Sequence, residues 1–294
     1  MKLDEINRRT KEAVAYLVES LESGRSEVLV QYLAAMGRFH HYSFGNVMLI
    51  ARQRPDATHV AGFRTWSSLG RFVNKGERGI LILAPMVRRK SGEHDSRPEE
   101  TEASDRQLVG FRAAYVFDIS QTGGKDLPVL TEVRGDVADL RERLTTWLAE
   151  QAIAVNYSVD IAPARGVSSG GKITLLPSMP AAEEFATLVH EVAHELLHRG
   201  ERRLETTKQI RETEAEAVAF AVCESLGFET KSASVDYIQL WHGDAQLLTA
   251  SLEIVQQTSA LILGALHLAE QQTPDEADDQ ESASGLLRAN VSGG

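Results

Sequence analysis

HEVAHELLH, residues 190–198, decides how the back half of this 294-residue chain folds. It contains H-E-x-x-H, with His190 and His194 four apart and Glu191 between them. A helix turns about every 3.6 residues, so positions i and i+4 project from one face. Two imidazoles there can hold one Zn²⁺ at about 2.0–2.1 Å, with the intervening carboxylate placed to take a proton from water. The stretch thus supplies two ligands, His190 and His194, and a candidate general base, Glu191.

The surrounding residues favour that helix. Glu183 to His198 contains no Pro or Gly, and Gly200 follows as a stop signal. Phe185, Leu188, Val189, Val192 and Leu196 recur at helical spacing and form an apolar stripe opposite the two histidines. A second H-E-x-x-H overlaps the first through His194, Glu195 and His198. The two registers cannot share a metal, because residues eight apart lie about 12 Å apart along a helix axis. His198 is expected to be packed or hydrogen-bonded.

A catalytic zinc takes three protein ligands and leaves one position for water. Metzincins would have Gly at 197 and His at 200; Leu197 and Gly200 exclude that class. The run RETEAEAVAFAV, residues 211–222, predicts the next helix, with Ala215, Val218, Ala219 and Val222 as its apolar face. It offers Glu212, Glu214 and Glu216. Glu212 and Glu216 share a face, so one could bind zinc while the other orients a ligand histidine. Periodicity alone does not separate Glu212 from Glu214. The pattern E-x-x-A-E resembles the run in gluzincin peptidases whose first Glu is the ligand. That resemblance implies Glu212 as third ligand with Glu216 behind it.

Two neighbouring stretches carry less. KITLL, residues 172–176, predicts a short strand, read as an edge along which an extended peptide could align. GVSSGGK, residues 166–172, comes close to a phosphate-binding loop, but Ile173 replaces the hydroxyl residue and a strand follows where a helix is needed. A hairpin loop is the better reading.

The single cysteine, Cys223, has no partner and fits a reducing compartment. The N-terminal stretch MKLDEINRRTKEAVAYL lacks the apolar segment of a signal peptide. The longest near-apolar stretch, Ala260 to Ala269, is ten residues against the roughly 20 that span a bilayer. A cytoplasmic protein with no membrane contact is expected. The net charge of −11 is uneven: residues 38–90 carry ten Lys/Arg against only Asp56 and Glu77. A basic block on an acidic chain points to an anionic partner for that block alone.

Helices are predicted over 3–23, 26–37 and 45–53, and strands over Gly79–Ala84 and Ala114–Ile119, with a polar loop over Arg88–Arg106 between the strands. Gly123, Gly124 and Pro128 suggest a linker. Beyond it come a helix over 134–153, short strands over Tyr157–Ala162 and 172–176, the zinc helices, and long helices over 231–271. The expected fold class is α+β: a small N-terminal α+β DNA-binding domain (1–128), then a mainly helical zincin-like domain (129–271). An acidic, disordered tail (272–294) ends the chain.

Within the basic block, Arg52, Arg54, Arg64, Arg71, Lys75 and Arg78 interleave with Tyr42, Phe44, Phe63, Trp66 and Phe72. Cations along phosphates and rings against bases are how single strands are held. YSFGNVMLIARQRPDAT, VAGFRTWSSLGRFVNKGERGILILAP and VFDISQTGGKDLP, in that order, resemble the N-terminal single-stranded-DNA-binding domain of ArdC-type antirestriction proteins over about residues 5–128. HEVAHELLH and ETEAEAVAFA are similar to a zincin metallopeptidase domain of the ImmA/IrrE kind, though Glu216 stands where those sequences usually have Asn. The resemblance implies single-stranded DNA as partner, Zn²⁺ as cofactor, and protection of incoming plasmid or phage DNA from restriction. Carried over by position, the DNA residues are Tyr42, Asn46, Arg52, Arg54, Arg64, Trp66 and Lys75. Tyr42 and Trp66 are expected to stack on bases, and Phe44, Phe63 and Phe72 to be core. A regulatory zinc peptidase that cleaves a repressor or other protein is the alternative.

Overall fold

A computed structural model describes residues 3–89, 106–126, 137–228 and 245–267. The front part runs α1 (Leu3–Glu22), α2 (Ser26–Arg38), α3 (Phe44–Gln53), β1 (Val60–Gly62), α4 (Phe63–Ser68), β2 (Arg71–Val73), β3 (Ile80–Arg89), β4 (Arg106–Asp118) and β5 (Thr122–Gly124). The back part runs α5 (Val137–Glu150), β6 (Ala154–Tyr157), β7 (Gly166–Ser168), β8 (Lys172–Leu175), α6 (Ala181–Leu197), α7 (Gly200–Glu205), α8 (Lys208–Ser225) and α9 (Ala245–His267). An α+β front and a mainly helical back are the architecture. Residues 90–105 of the polar loop, Pro128, residues 231–244 and the tail 272–294 lie outside the described residues.

In the front sheet, ordered β1-β4-β3, β3 has an outer edge. Two amides of α3 close it. Asn46 donates to the Leu83 carbonyl and accepts from its N–H, both at 2.8 Å. Gln53 does the same for Leu81, at 2.9 and 3.0 Å. These pairs occupy backbone groups that would otherwise template another strand. They also show that the odd-numbered N–H groups of β3 face outward. Pro85, expected to end the strand, therefore sits inside it opposite Phe111, where a missing N–H breaks no bond to β4.

Other boundaries moved. Gly123 and Gly124, read as a linker, form β5 and pair with Phe72 and Arg71. The strand placed at 157–162 is β6, over 154–157, followed by a 3-10 turn over Val159–Ile161. β8 is not an edge: the order is β6-β8-β7, so β6 and β7 are the outer strands.

Helices from both halves build one buried core that includes Leu29, Leu33 and Met48 with Val189, Val218 and Leu252. α2 crosses α8 at Gly37, where an added Cβ would lie 2.2 Å from the Ala221 carbonyl oxygen. Backbone contact that close leaves no room for a side chain. Gly37→Ala should therefore lower stability by about 1–3 kcal/mol or more through overpacking, read as a drop in thermal midpoint. α9 is long and apolar enough to cross a membrane, with mean hydropathy 1.2 over Ala245–Leu266, but half of it is buried in the protein. Its Leu248, Leu252, Val255, Ile262 and Leu263 are core residues, and it packs on α2, α5 and α8.

Candidate metal centre and nucleic-acid surface

α6 and α8 lie face to face, and three side chains meet between them. His190 Nε2 and His194 Nε2 are 3.1 Å apart, and Glu212 Oε2 is 3.5 Å from each. A tetrahedral ion with bonds of about 2.0–2.1 Å needs donor atoms about 3.3–3.4 Å apart. The triangle matches that edge length within a few tenths of an ångström, and two imidazoles with one carboxylate are a fitting donor set for Zn²⁺. Glu216 lies on the far side of His190, with Oε2 3.4 Å from Nδ1. Glu214, the rival, points elsewhere: its Oε2 is 3.0 Å from His198 Nε2, and both side chains are fully buried.

The electrostatics follow from this packing. Burial works against a charged His190, but bonds to Glu212 and Glu216 override it and hold its proton up to about 9. His194 is pushed down to about 4 by burial and by the His190 charge. The His190 bond, against the effect of burial, keeps Glu212 at about 2. Glu191 is buried, and burial raises its carboxyl above the ordinary range. At Gly166 in β7 an added Cβ would sit 2.7 Å from Glu191 Cγ and Oε1, so only glycine lets the strand lie this close.

β7 is pinned there by the acid of the second H-E-x-x-H. Glu195 accepts from Ser168 Oγ at 2.6 Å, Gly170 N at 2.8 Å and Gly171 N at 2.7 Å, and pairs with Arg199. The glycine-rich stretch is thus a hairpin loop, its N–H groups wrapped on a carboxylate of α6. Burial would raise the Glu195 pKa, but these bonds bring it down to about 2. Its unfolded value is higher, so the ionised group adds stability above pH ~4.5 and loses it as pH falls toward 2. The stability gap between wild type and Glu195→Gln should be about 3 kcal/mol at pH 6. Urea unfolding at successive pH values should show it narrowing below about pH 4.5.

The residues read as DNA contacts do not assemble as one set. Trp66 is 2% exposed, and its indole N–H donates to the Phe117 carbonyl at 2.8 Å, so it cannot stack on a base. Asn46 is buried and both ends of its amide are taken by Leu83. Both assignments are corrected to structural roles. Tyr42 is half-buried, with its hydroxyl 3.4 Å from the Val60 carbonyl. Arg52 stacks 4.0 Å over the Tyr16 ring, and Arg54 donates to Ser120 Oγ. Arg64 and Lys75 are exposed.

The rings that do face solvent are different ones. Phe63 and Phe72, expected in the core, are each 60% exposed, and Tyr115 is 58% exposed. Phe44 alone of the three expected core rings packs inward. Phe72 leans on Gly123 and Tyr115 on Gly79, each ring within about 3.1 Å of where a Cβ would stand. Arg64, Lys75, Arg78 and Arg112 are exposed cations on the same small domain. Strand alternation could have flagged Phe72, which faces away from Arg71 and Val73.

Residues 3–117 match the family described as the N-terminal domain of anti-restriction factor ArdC. Over that stretch the chain carries an ArdC-type N-terminal domain. An uncharacterized protein of Bacillus anthracis is 25% identical over 289 residues, covering 83% of this chain and 48% of that protein. The chain thus spans about half the length of the curated relative it matches. The metal-free crystal structure of the antirestriction ArdC protein from plasmid R388 superposes with a TM-score of 0.51 at 18% identity. That alignment covers 87% of this chain and 97% of that one, so the two share a fold. The manganese(II)-bound structure of the same plasmid protein gives a TM-score of 0.45 at 17% identity, over 81% and 98% of the two chains.

The exposed rings and cations therefore lie within or beside the ArdC N-terminal domain, and the His/His/Glu triangle lies C-terminal to it. α2 joins the two, since it belongs to the ArdC domain and packs on α8, which carries Glu212.

Proposed function

We propose that this ArdC-type chain binds single-stranded DNA through its N-terminal domain and a divalent metal, zinc, through α6 and α8. Antirestriction, the protection of incoming mobile-element DNA in the cytoplasm, is the role this combination supports best. The observation that carries the DNA reading is the set of solvent-facing rings, Phe63, Phe72 and Tyr115, among exposed cations on the matched domain. Rings of this kind accept any base, and cations track phosphates, so binding would be sequence-tolerant. Salt titration with single- and double-stranded oligonucleotides, with and without chelator, tests it. Preference for the single strand and a steep loss of affinity with salt are expected. Indifference to oligonucleotides at low salt would contradict the reading.

His190, His194 and Glu212 would hold the ion, and Glu216 would orient His190 from behind. When bound, zinc supplies Lewis acidity toward a carbonyl and acidifies water. Burial of Glu191 favours a second reading, a hydrolytic centre acting on a protein partner. A carboxylate with a raised pKa can take a proton from water and return it to a leaving amine near neutral pH. Glu191→Gln should keep zinc and lose at least 100-fold in cleavage of any substrate found, within the range of general acid–base contributions of about 10²–10⁴. Unchanged turnover would remove Glu191 from that role.

A further inference from the structure

The side of His194 away from the triangle faces a chain of polar groups. His194 Nδ1 lies 2.9 Å from His198 Nδ1, and His198 Nε2 lies 3.0 Å from Glu214 Oε2. Arg202 Nη2 sits 2.7 Å from both Glu214 oxygens, and Ser251 Oγ of α9 donates to Oε1. The His198 and Glu214 side chains have no exposed surface.

We infer that this relay sets the tautomer of His194, with His198 as a positioning residue for the metal site. The direction of each bond follows from its charged end. Glu214 is paired with Arg202 and can only accept, so the His198 proton sits on Nε2. With Nε2 donating to Glu214, His198 presents Nδ1 as the acceptor, and His194 donates to it from its own Nδ1. That leaves the lone pair of His194 on Nε2, the atom facing His190 and Glu212. Were His198 to donate instead, His194 would carry its proton on Nε2 and block its ligand atom. The second H-E-x-x-H thus completes the first: its acid, Glu195, pins β7, and its last histidine orients His194.

The inference rests on the metal-site reading, but part of its test does not need a metal. In chelator-treated wild type with ¹⁵N-labelled histidine, NMR should show His194 protonated on Nδ1 and bare on Nε2. His198→Phe removes the acceptor, and Zn²⁺ affinity by titration calorimetry should fall about 10–100-fold. His198→Asn places an oxygen near the Nδ1 position and should recover part of that loss. An Nε2-protonated His194 in wild type would overturn the inference, and so would an unchanged Zn²⁺ affinity in a folded His198→Phe chain. If the phenylalanine variant does not fold, the wild-type tautomer decides. Wild type that binds no Zn²⁺ yet shows the Nδ1-protonated form would sink the metal reading and uphold the relay.

Discussion

Converting Phe72 and Tyr115 together to alanine is expected to weaken single-stranded oligonucleotide binding about 30-fold or more, at about 1–3 kcal/mol for each base–ring stack. Both rings lie on strands and stand clear of the core, so the fold should survive their loss. Each also covers a glycine, so a small stability loss should accompany truncation. Trp66→Ala is the opposite case. It empties a buried site and removes the indole bond to the Phe117 carbonyl, and should cost about 3–5 kcal/mol of stability. Any DNA effect of that variant would follow from unfolding. Arg64→Ala and Lys75→Ala should lower affinity uniformly across sequences and flatten the salt dependence. Fluorescence anisotropy at several salt concentrations separates the classes. Unchanged affinity in the folded double variant would move the DNA site off this surface.

Loss of any corner of the triangle should cost zinc far more. Structural zinc sites are worth about 10–16 kcal/mol over four ligands, or about 3 kcal/mol each. His190→Ala, His194→Ala and Glu212→Ala should each lower affinity by about two orders of magnitude. Protons compete for the same atoms. His190 holds its proton up to about 9, held there by Glu212 and Glu216. Below that value zinc must displace one proton, so affinity should rise about tenfold per pH unit from 7 toward 9, then level off. Calorimetry in buffers of different ionisation heat should count about one proton released at pH 7. A pH-independent affinity across that range would contradict the placement of His190.

The helices of the candidate metal site were legible because helical spacing is local: His190 and His194 share a face by arithmetic, and the apolar stripe of α6 says which way it turns. Glu212 over Glu214 was not settled by period, because spacing alone does not say which of the two carboxylates meets the histidines. What separates them is the His198–Arg202–Ser251 environment of Glu214, assembled from the end of α6, from α7 and from α9. Ring placement failed for a related reason. Residue type made Trp66 a stacking candidate and Phe72 a core residue. But a tryptophan N–H is satisfied inside when a carbonyl faces it, and Phe117 is distant in sequence. The β2–β5 pair that turns Phe72 outward depends on glycines first read as a linker. The misread edge strand has the same origin: β7 is only three residues, Gly166–Ser168, visible only through what it pairs with.

The most direct measurement is zinc K-edge X-ray absorption on the zinc-loaded chain, compared with Glu212→Ala. We expect one zinc per chain in a four-coordinate shell of nitrogen and oxygen at about 2.0–2.1 Å with two imidazoles, and one oxygen ligand fewer from the protein in the variant. A sulfur ligand at about 2.3 Å, a shell without imidazole, or no stoichiometric zinc would contradict a metal centre built by α6 and α8.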